Sequence, residues 1–156
     1  MLTTGDTYRI LFVCSAGGHL AQLHRLEPWW SQHDRAWVTF DLPDAAARLV
    51  AERVYYGHHP TTRNLGNLFR NVRVAWRVLR TERPAVVVSD GAGLAVPFFW
   101  LARTVGARTV YLEVYDRIDS KTLTARLCRP VTDLFLVQWP EQLALYRGSV
   151  LVGSVY

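Results

Sequence analysis

Two stretches near the middle of the chain, Ala85 to Ser89 (AVVVS) and Thr109 to Glu113 (TVYLE), are largely apolar at successive positions rather than at alternate ones. A strand with one face in water alternates. A strand covered on both faces does not, and that double cover is the condition of a parallel sheet lying between two layers of helices. Runs of this kind recur at Tyr8 to Cys14, Ala36 to Phe40, Arg53 to Tyr56, Ala85 to Ser89, Arg108 to Glu113, Leu134 to Gln138 and Val150 to Val152. Helical patterns fall between them, near His19 to Gln32, Asp44 to Glu52, Asn64 to Thr81, Ala95 to Val105, Thr122 to Cys128 and Glu141 to Tyr146. This alternation predicts an α/β fold, a doubly wound parallel sheet. No linker, repeat or low-complexity tract interrupts the pattern, so residues 1–156 are read as one domain. A chain of this length buries roughly 70% of the surface it exposes when unfolded. Half of its residues are apolar, which excludes the disordered class.

Cys14 and Cys128 lie far apart, with no CxxC and no histidine spacing of the zinc type near either. Neither a disulfide framework nor a metal site is expected. The first apolar run, Arg9 to Cys14, is too short and too strand-like for a signal peptide, so the chain is expected to stay in the cytoplasm. The charge-free stretch Gly91 to Ala102 (GAGLAVPFFWLA) has 12 residues and contains Pro97. That falls short of the about 20 residues a hydrocarbon core requires. Membrane association is therefore expected to be peripheral.

In doubly wound sheets ligands bind outside the carboxyl ends of the strands. Those tips read Ser15-Ala16-Gly17-Gly18-His19, Asp90-Gly91-Ala92-Gly93, Val114-Tyr115-Asp116-Arg117 and Trp139-Pro140-Glu141. The first and second are glycine-rich, which lets backbone N–H groups approach a ligand and turns a helix amino terminus toward an anion. Neither is a GxGxxG or a Walker loop, so a dinucleotide or nucleoside-triphosphate site is poorly supported. His19 is expected in the first turn of a helix, where the dipole would lower its pKa and keep the imidazole neutral. It reads either as a general base toward a hydroxyl or as a turn histidine bonded to backbone. Glu113 ends a buried strand and must find a partner, either a ligand hydroxyl or an ion pair such as Arg117. Asp116, Arg117 and Asp119 form a charged loop that either holds a polar ligand or is simply solvated.

Eighteen Lys and Arg, 17 of them Arg, stand against 13 Asp and Glu. Residues 63–83 carry Arg63, Arg70, Arg73, Arg77, Arg80 and Arg83 against Glu82 alone, and the rest of the chain is balanced. The excess points to an anionic partner at one place. Projected as a helix, Leu65, Leu68, Phe69, Val72, Trp76 and Leu79 form one stripe, while Arg63, Arg70, Arg73, Arg77 and Arg80 fill an adjoining arc and Val74 and Val78 fall outside. A surface helix packing its stripe on the sheet gives this pattern. So does a helix on anionic lipid headgroups, which makes those five arginines the candidate membrane-binding residues. Nucleic acid ranks lower, because no RNP, helix-turn-helix or stacking-platform pattern is present. Pro97 to Leu101 reads as a core helix or a lipid contact, and Pro28-Trp29-Trp30 as core, interface or membrane-surface aromatics.

The strings LFVCSAGGHLAQL, VVSDGAGLAVPF, YLEVYDRIDSKTLTARL and DLFLVQWPEQ together resemble the bacterial PssD family, related to the membrane-anchoring subunit of the eukaryotic dolichol-pathway N-acetylglucosaminyltransferase. The resemblance runs from Arg9 to Val155. It implies a split glycosyltransferase of the GT-B type, similar to MurG cut in two, with this chain as the Rossmann-like amino-terminal acceptor lobe. A separate catalytic subunit would bind the nucleotide sugar, with a UDP-sugar as co-substrate and no cofactor. The implied acceptor is a polyprenyl-diphosphate-linked sugar on the inner face of the cell membrane, and the implied product a capsular or exopolysaccharide unit. On this resemblance Gly17, Gly18 and His19 lie near the acceptor diphosphate, and Glu113 faces the intersubunit cleft. His19 and Glu113 are the candidate bases, and Ser15, Gly17, Gly18, Asp90, Gly91, Gly93 and Arg117 the candidate acceptor and diphosphate residues. Eukaryotic relatives carry a spanning helix where this chain begins MLTTGDTY, which leaves attachment to the basic helix, to apolar surface or to a partner. Val150 to Tyr156 is the expected partner contact. Two alternatives stand beside this reading: a non-catalytic recruiting subunit, and a free-standing nucleotide-binding α/β protein.

Overall fold

The computed structural model describes residues 7–156, so Met1 to Asp6, most of the MLTTGDTY segment, lie outside the described residues. Seven strands form where apolar runs were expected: β1 (Arg9–Val13), β2 (Asp34–Phe40), β3 (Val54–Gly57), β4 (Val86–Ser89), β5 (Arg108–Leu112), β6 (Leu134–Val137) and β7 (Val150–Leu151). All pair in parallel, in the order β3-β2-β1-β4-β5-β6-β7. The helices are α1 (Gly18–His24), α2 (Glu27–Trp30), α3 (Pro43–Arg48), α4 (Leu65–Glu82), α5 (Ala95–Ala102), α6 (Leu123–Cys128) and α7 (Pro140–Leu145). The helix expected from His19 to Gln32 is two pieces, because Pro28 has no N–H to continue α1 and instead opens α2.

After β3 the chain returns from the sheet edge to the centre and lays β4 beside β1. Right-handed crossovers running outward in opposite directions put their helices on opposite faces. Residues from α1, α2 and α3 accordingly share one core with the sheet, built on Phe12 stacked against Trp37 and edge-on to Trp30. Residues from α4, α5 and α6 share the other, in which Tyr111 and Phe135 stack.

Two regions depart from full cover. On the face that carries α1 the cover is incomplete: Val86, Val88 and Leu112 are buried, while Val110 and Leu136 are only partly buried and Leu134 is exposed. Val86, Val88, Val110, Leu112, Leu134 and Leu136 there border an apolar groove of about 830 Å³, closed at its sides by Trp29, Val152 and Val155. The second departure is α4, which does not pack its apolar stripe on the sheet, as one of the two readings of that pattern expected, and which turns Val74 and Val78 inward rather than outward. Asn67, Asn71, Val74, Ala75, Val78, Leu79 and Glu82 face the protein. Leu65 is 72% exposed, Phe69 69% and Trp76 41%. The polar residues turn inward because the end of β3 and the loop after it supply partners: Asn71 bonds the N–H and the carbonyl of His58, Asn67 donates to the Pro60 carbonyl, and Glu82 accepts from the Tyr55 hydroxyl. Only Leu79 of the expected stripe is buried.

This facing sets the expected outcome of two substitutions. Val78→Asp buries an unpaired charge and costs on the order of 3 to 5 kcal/mol. Phe69→Asp, on the exposed side, changes stability by less than about 0.5 kcal/mol. Urea unfolding followed by far-ultraviolet circular dichroism separates the two, and the opposite ranking would restore the facing expected from the helical projection.

Candidate functional site

Val13 at the end of β1 lies in register with Ser89 at the end of β4, so the loops that follow rise side by side at the switch point of the sheet. The first loop turns at Gly17 and delivers His19 into the first turn of α1. The second carries Asp90 and turns at Gly91, whose φ is +119°. A Cβ on residue 91 would stand 3.0 Å from the Tyr111 hydroxyl and 3.3 Å from His19 Cε1, so only glycine lets this loop close on the imidazole.

Asp90 has no exposed surface. Its Oδ2 accepts from Gln22 Nε2 at 3.2 Å. Its Oδ1 lies 3.2 Å from His19 Nδ1, an ion-pair distance without the alignment of a hydrogen bond. Gln22 Oε1 in turn accepts from the Tyr115 N–H at 3.1 Å and from Gln138 Nε2 at 2.9 Å. Gln138 Nε2 also donates to the Glu113 carbonyl, and Gln138 Oε1 accepts from the Val155 N–H. Two glutamine amides thus tie together α1, the tips of β4, β5 and β6, and the carboxyl-terminal segment.

A crevice of about 380 Å³ opens over this pair, lined by Gly18, His19, Gln22, Asp90, Val114, Tyr115, Asp116 and Tyr156. The Tyr156 hydroxyl donates to the Gly18 carbonyl, and the Tyr156 ring meets Tyr115 edge-on at 5.1 Å. Burial opposes a charge on His19, but the Asp90 carboxylate outweighs it with help from Asp116, and the imidazole titrates above its ordinary range. Burial pushes the Asp90 carboxyl up, against the pull of His19 and Gln22. The expectation that the helix dipole lowers the His19 pKa is therefore corrected: the end of a seven-residue helix weighs less than an adjacent buried carboxylate. With Nδ1 turned to Asp90, Nε2 is the nitrogen left for a ligand. A histidine held this way accepts a proton more readily than a free imidazole.

The remaining expected residues divide. Gly18, His19 and Asp90 line the crevice and Gly91 backs it. Ser15, Gly17, Gly93 and Arg117 are not part of the lining. The Gly17 N–H, expected to meet phosphate, donates to the Asp44 carboxylate at 2.6 Å, and Gly93 packs on Thr61. Among the described residues no Arg or Lys lines the crevice. Glu113 is not brought to it either. It is buried, with one carboxylate oxygen accepting from the Val114 N–H and the other from the Tyr146 hydroxyl, so its partner is a tyrosine rather than the expected Arg117 or a ligand. Burial raises its pKa. Arg63, Arg70, Arg73, Arg77 and Arg80 are exposed on or just before α4. Among the described residues no group of three or more His, Cys, Asp or Glu is placed to hold a metal ion.

The family model described as "Oligosaccharide biosynthesis protein Alg14 like" matches residues 47–155. The chain belongs to this Alg14-like family. A UDP-N-acetylglucosamine transferase subunit ALG14 from Eremothecium gossypii is 38% identical over 123 residues, covering 73% of this chain and 53% of the relative. The mouse protein of the same name is 25% identical, with 99% of this chain and 86% of the relative covered. The chain thus spans about half the length of the first relative and most of the second. Among solved structures, Acinetobacter baumannii MurG superposes with a TM-score of 0.74 at 14% identity, covering 96% of this chain and 46% of that one. A UDP-bound MnaA from Staphylococcus aureus superposes with a TM-score of 0.71 at 14% identity, covering 96% and 44%. These likenesses show the fold: the Alg14-like chain is a Rossmann-like α/β lobe of the kind found in GT-B glycosyltransferases such as MurG.

Sequence reasoning missed Gln22, Gln138 and Tyr156. Gln22 stands three residues after His19 and so shares its helix face, which is the one local signal available. Gln138 ends an apolar run and gives none.

The His19–Asp90 pair sets a titration outcome. In the wild-type chain the His19 imidazole, followed by proton NMR, should titrate above the ordinary value of about 6.5. Asp90→Asn removes the attraction and leaves the burial, so the midpoint should drop below that of the wild type. An unchanged midpoint would mean that Asp90 does not govern His19.

Proposed function

We propose that this chain is the acceptor-binding subunit of a two-component glycosyltransferase that moves N-acetylglucosamine, or a close relative, from a UDP-sugar held by a partner subunit to a polyprenyl-diphosphate-linked sugar. The observation that carries the reading is the His19–Asp90 pair opening into a crevice at the switch point of a lobe that spans only 46% of a MurG chain. The names of the Alg14 relatives support the donor class and the subunit status. The finer assignment to a PssD-like enzyme of capsular or exopolysaccharide synthesis rests on the motif strings quoted above.

In this reading the acceptor sugar, rather than its diphosphate, occupies the crevice. Asp116 and the rings of Tyr115 and Tyr156 suit a polyhydroxylated ring with apolar faces, and the absence of a cation from the lining disfavours phosphate there. The acceptor hydroxyl donates to His19 Nε2. As its oxygen attacks the anomeric carbon, the proton passes to His19, the bond from that carbon to the UDP oxygen breaks, and Asp90 stabilises the imidazolium that forms. UDP leaves with the partner. The apolar groove over β4 to β6, with Val152 and Val155 at its side, is the surface we assign to that partner, since parallel strands are ordinarily covered on both faces.

Co-expression with the catalytic partner, pulldown, and transfer from UDP-N-acetylglucosamine to a polyprenyl-diphosphate sugar test this. His19→Ala should lower transfer by roughly 10²- to 10⁴-fold while the pair stays assembled. Because transfer needs neutral His19, the rate falls as pH drops through its raised pKa. Asp90→Asn should move that limb to lower pH and reduce the plateau. Full activity of both variants would favour the non-catalytic recruiting subunit. Tight UDP-sugar binding by this chain alone would favour the free-standing nucleotide-binding protein.

A further inference from the structure

The loop between β5 and α6 is held at both ends and along its length. The Glu113 carboxylate accepts from the Val114 N–H and from the Tyr146 hydroxyl, and that hydroxyl in turn accepts from the Thr122 N–H. One buried carboxylate therefore ties the start of the loop to its end. Gln142 Nε2 donates to the carbonyls of Val114 and Arg117, Trp139 Nε1 donates to that of Tyr115, and Gln22 Oε1 accepts from the Tyr115 N–H. Side chains from α1, α7 and the tip of β6 thus fix the backbone on either side of Asp116. A loop fixed in this way presents its side chains at set positions.

Asp116 lines the crevice, and its carboxylate has no hydrogen bond or ion pair among the described residues. The other polar groups of the lining are engaged. Gln22 and Asp90 bond each other, the Tyr156 hydroxyl bonds the Gly18 carbonyl, and His19 lies beside Asp90. The charge of Asp116 reaches His19, whose pKa it helps to raise, so the two share one part of the crevice. Arg25, over the Tyr156 ring at 5.7 Å from guanidinium to centroid, and Arg117, next along the loop, both stand outside the lining. Among the described residues no group of His, Cys, Asp and Glu is placed to hold a metal ion, so a role for Asp116 as a metal ligand has no support. The crevice therefore offers a ligand one free carboxylate, a second buried one behind it, and no cation among the described residues that line it.

We propose that Asp116 selects the acceptor sugar: its carboxylate accepts a hydrogen bond from a hydroxyl of an uncharged sugar and refuses a sugar that carries a carboxylate of its own. This rests on the acceptor reading of the crevice given above, and adds the class of acceptor that is turned away. An ionised carboxylate only accepts hydrogen bonds, and a hydroxyl can donate one to it. A uronic acid has no such proton on its carboxylate and meets Asp116 and Asp90 as like charges. Repulsion over a few ångströms in a partly enclosed site discriminates by about tenfold or more. The clamped backbone makes the refusal effective, because a mobile aspartate would swing aside from an incoming anion and this one is held at both neighbours.

The test offers the full chain with its catalytic partner two polyprenyl-diphosphate acceptors that differ only at C6 of the sugar, glucose and glucuronic acid. The wild type should favour glucose in kcat/KM by about tenfold or more. Asp116→Asn, which keeps the shape and removes the charge, should narrow the ratio to within about threefold, chiefly by lowering KM for the glucuronic acid acceptor. Asp119→Asn, on an exposed acid of the same loop outside the lining, should keep the wild-type ratio. Asp116 is exposed, and thermal melting should confirm that its variant folds. A wild-type ratio near one, a ratio that Asp116→Asn leaves unchanged, or an equal narrowing in Asp119→Asn would each overturn the proposal. A second measurement needs neither partner nor transfer. Proton NMR of the chain alone, with methyl glucoside or methyl glucuronide added at equal ionic strength, should show the His19 imidazole signals moving with the glucoside and far less with the glucuronide, and Asp116→Asn should bring the two responses together. Equal responses in the wild type, or none to either glycoside, would overturn the selection. A pair that transfers to neither acceptor removes the transferase reading and leaves the NMR result to decide the selection. Equal transfer to both removes the selection and leaves the transferase reading intact.

Discussion

All seven strands run in one direction, and most of what the protein offers follows from that constraint. Parallel strands deliver their carboxyl ends to one edge, so loops far apart in sequence meet there whatever their composition. The return from β3 to β4 parts the loops at the centre of that edge and leaves space for His19 and Asp90 to face each other. The same alignment requires helical connections, and these set the inward and outward residues of α4.

The crevice depends on a carboxylate held out of water. An unpaired buried aspartate would cost several kcal/mol or remain protonated. Asp90 offsets part of this through an amide donor on one oxygen and an imidazole beside the other, and burial still pushes its carboxyl up. The amide is itself fixed by two further bonds, from the Tyr115 N–H and from Gln138 Nε2, so the position of one charge is determined by groups from the tips of β5 and β6 and from α1. Glu113, two residues past the Tyr111 that backs the same loop, meets the same problem with backbone and a tyrosine hydroxyl.

The order of strands and helices, and the edge that carries the crevice, were legible because apolar runs and glycine turns are local signals. The facing of α4 was not. Periodicity finds the apolar stripe, but which arc meets the sheet depends on partners distant in sequence. Here the His58 backbone, the Pro60 carbonyl and Tyr55 draw Asn71, Asn67 and Glu82 inward. The network behind Asp90 was equally hidden. A glutamine on a short helix reads as a solvated residue until Gln138, 116 positions later, is found against it. The direction of the His19 pKa shift was misjudged because the deciding neighbour, Asp90, follows another strand.

The Gln138 side chain has a further consequence. Its oxygen holds the backbone of Val155 and its nitrogen holds Gln22, so one rigid amide plane joins the carboxyl-terminal segment to the residue that supports Asp90. The attachment of the carboxyl-terminal segment and the support of Asp90 therefore share one side chain, and truncating Gln138 removes both at once.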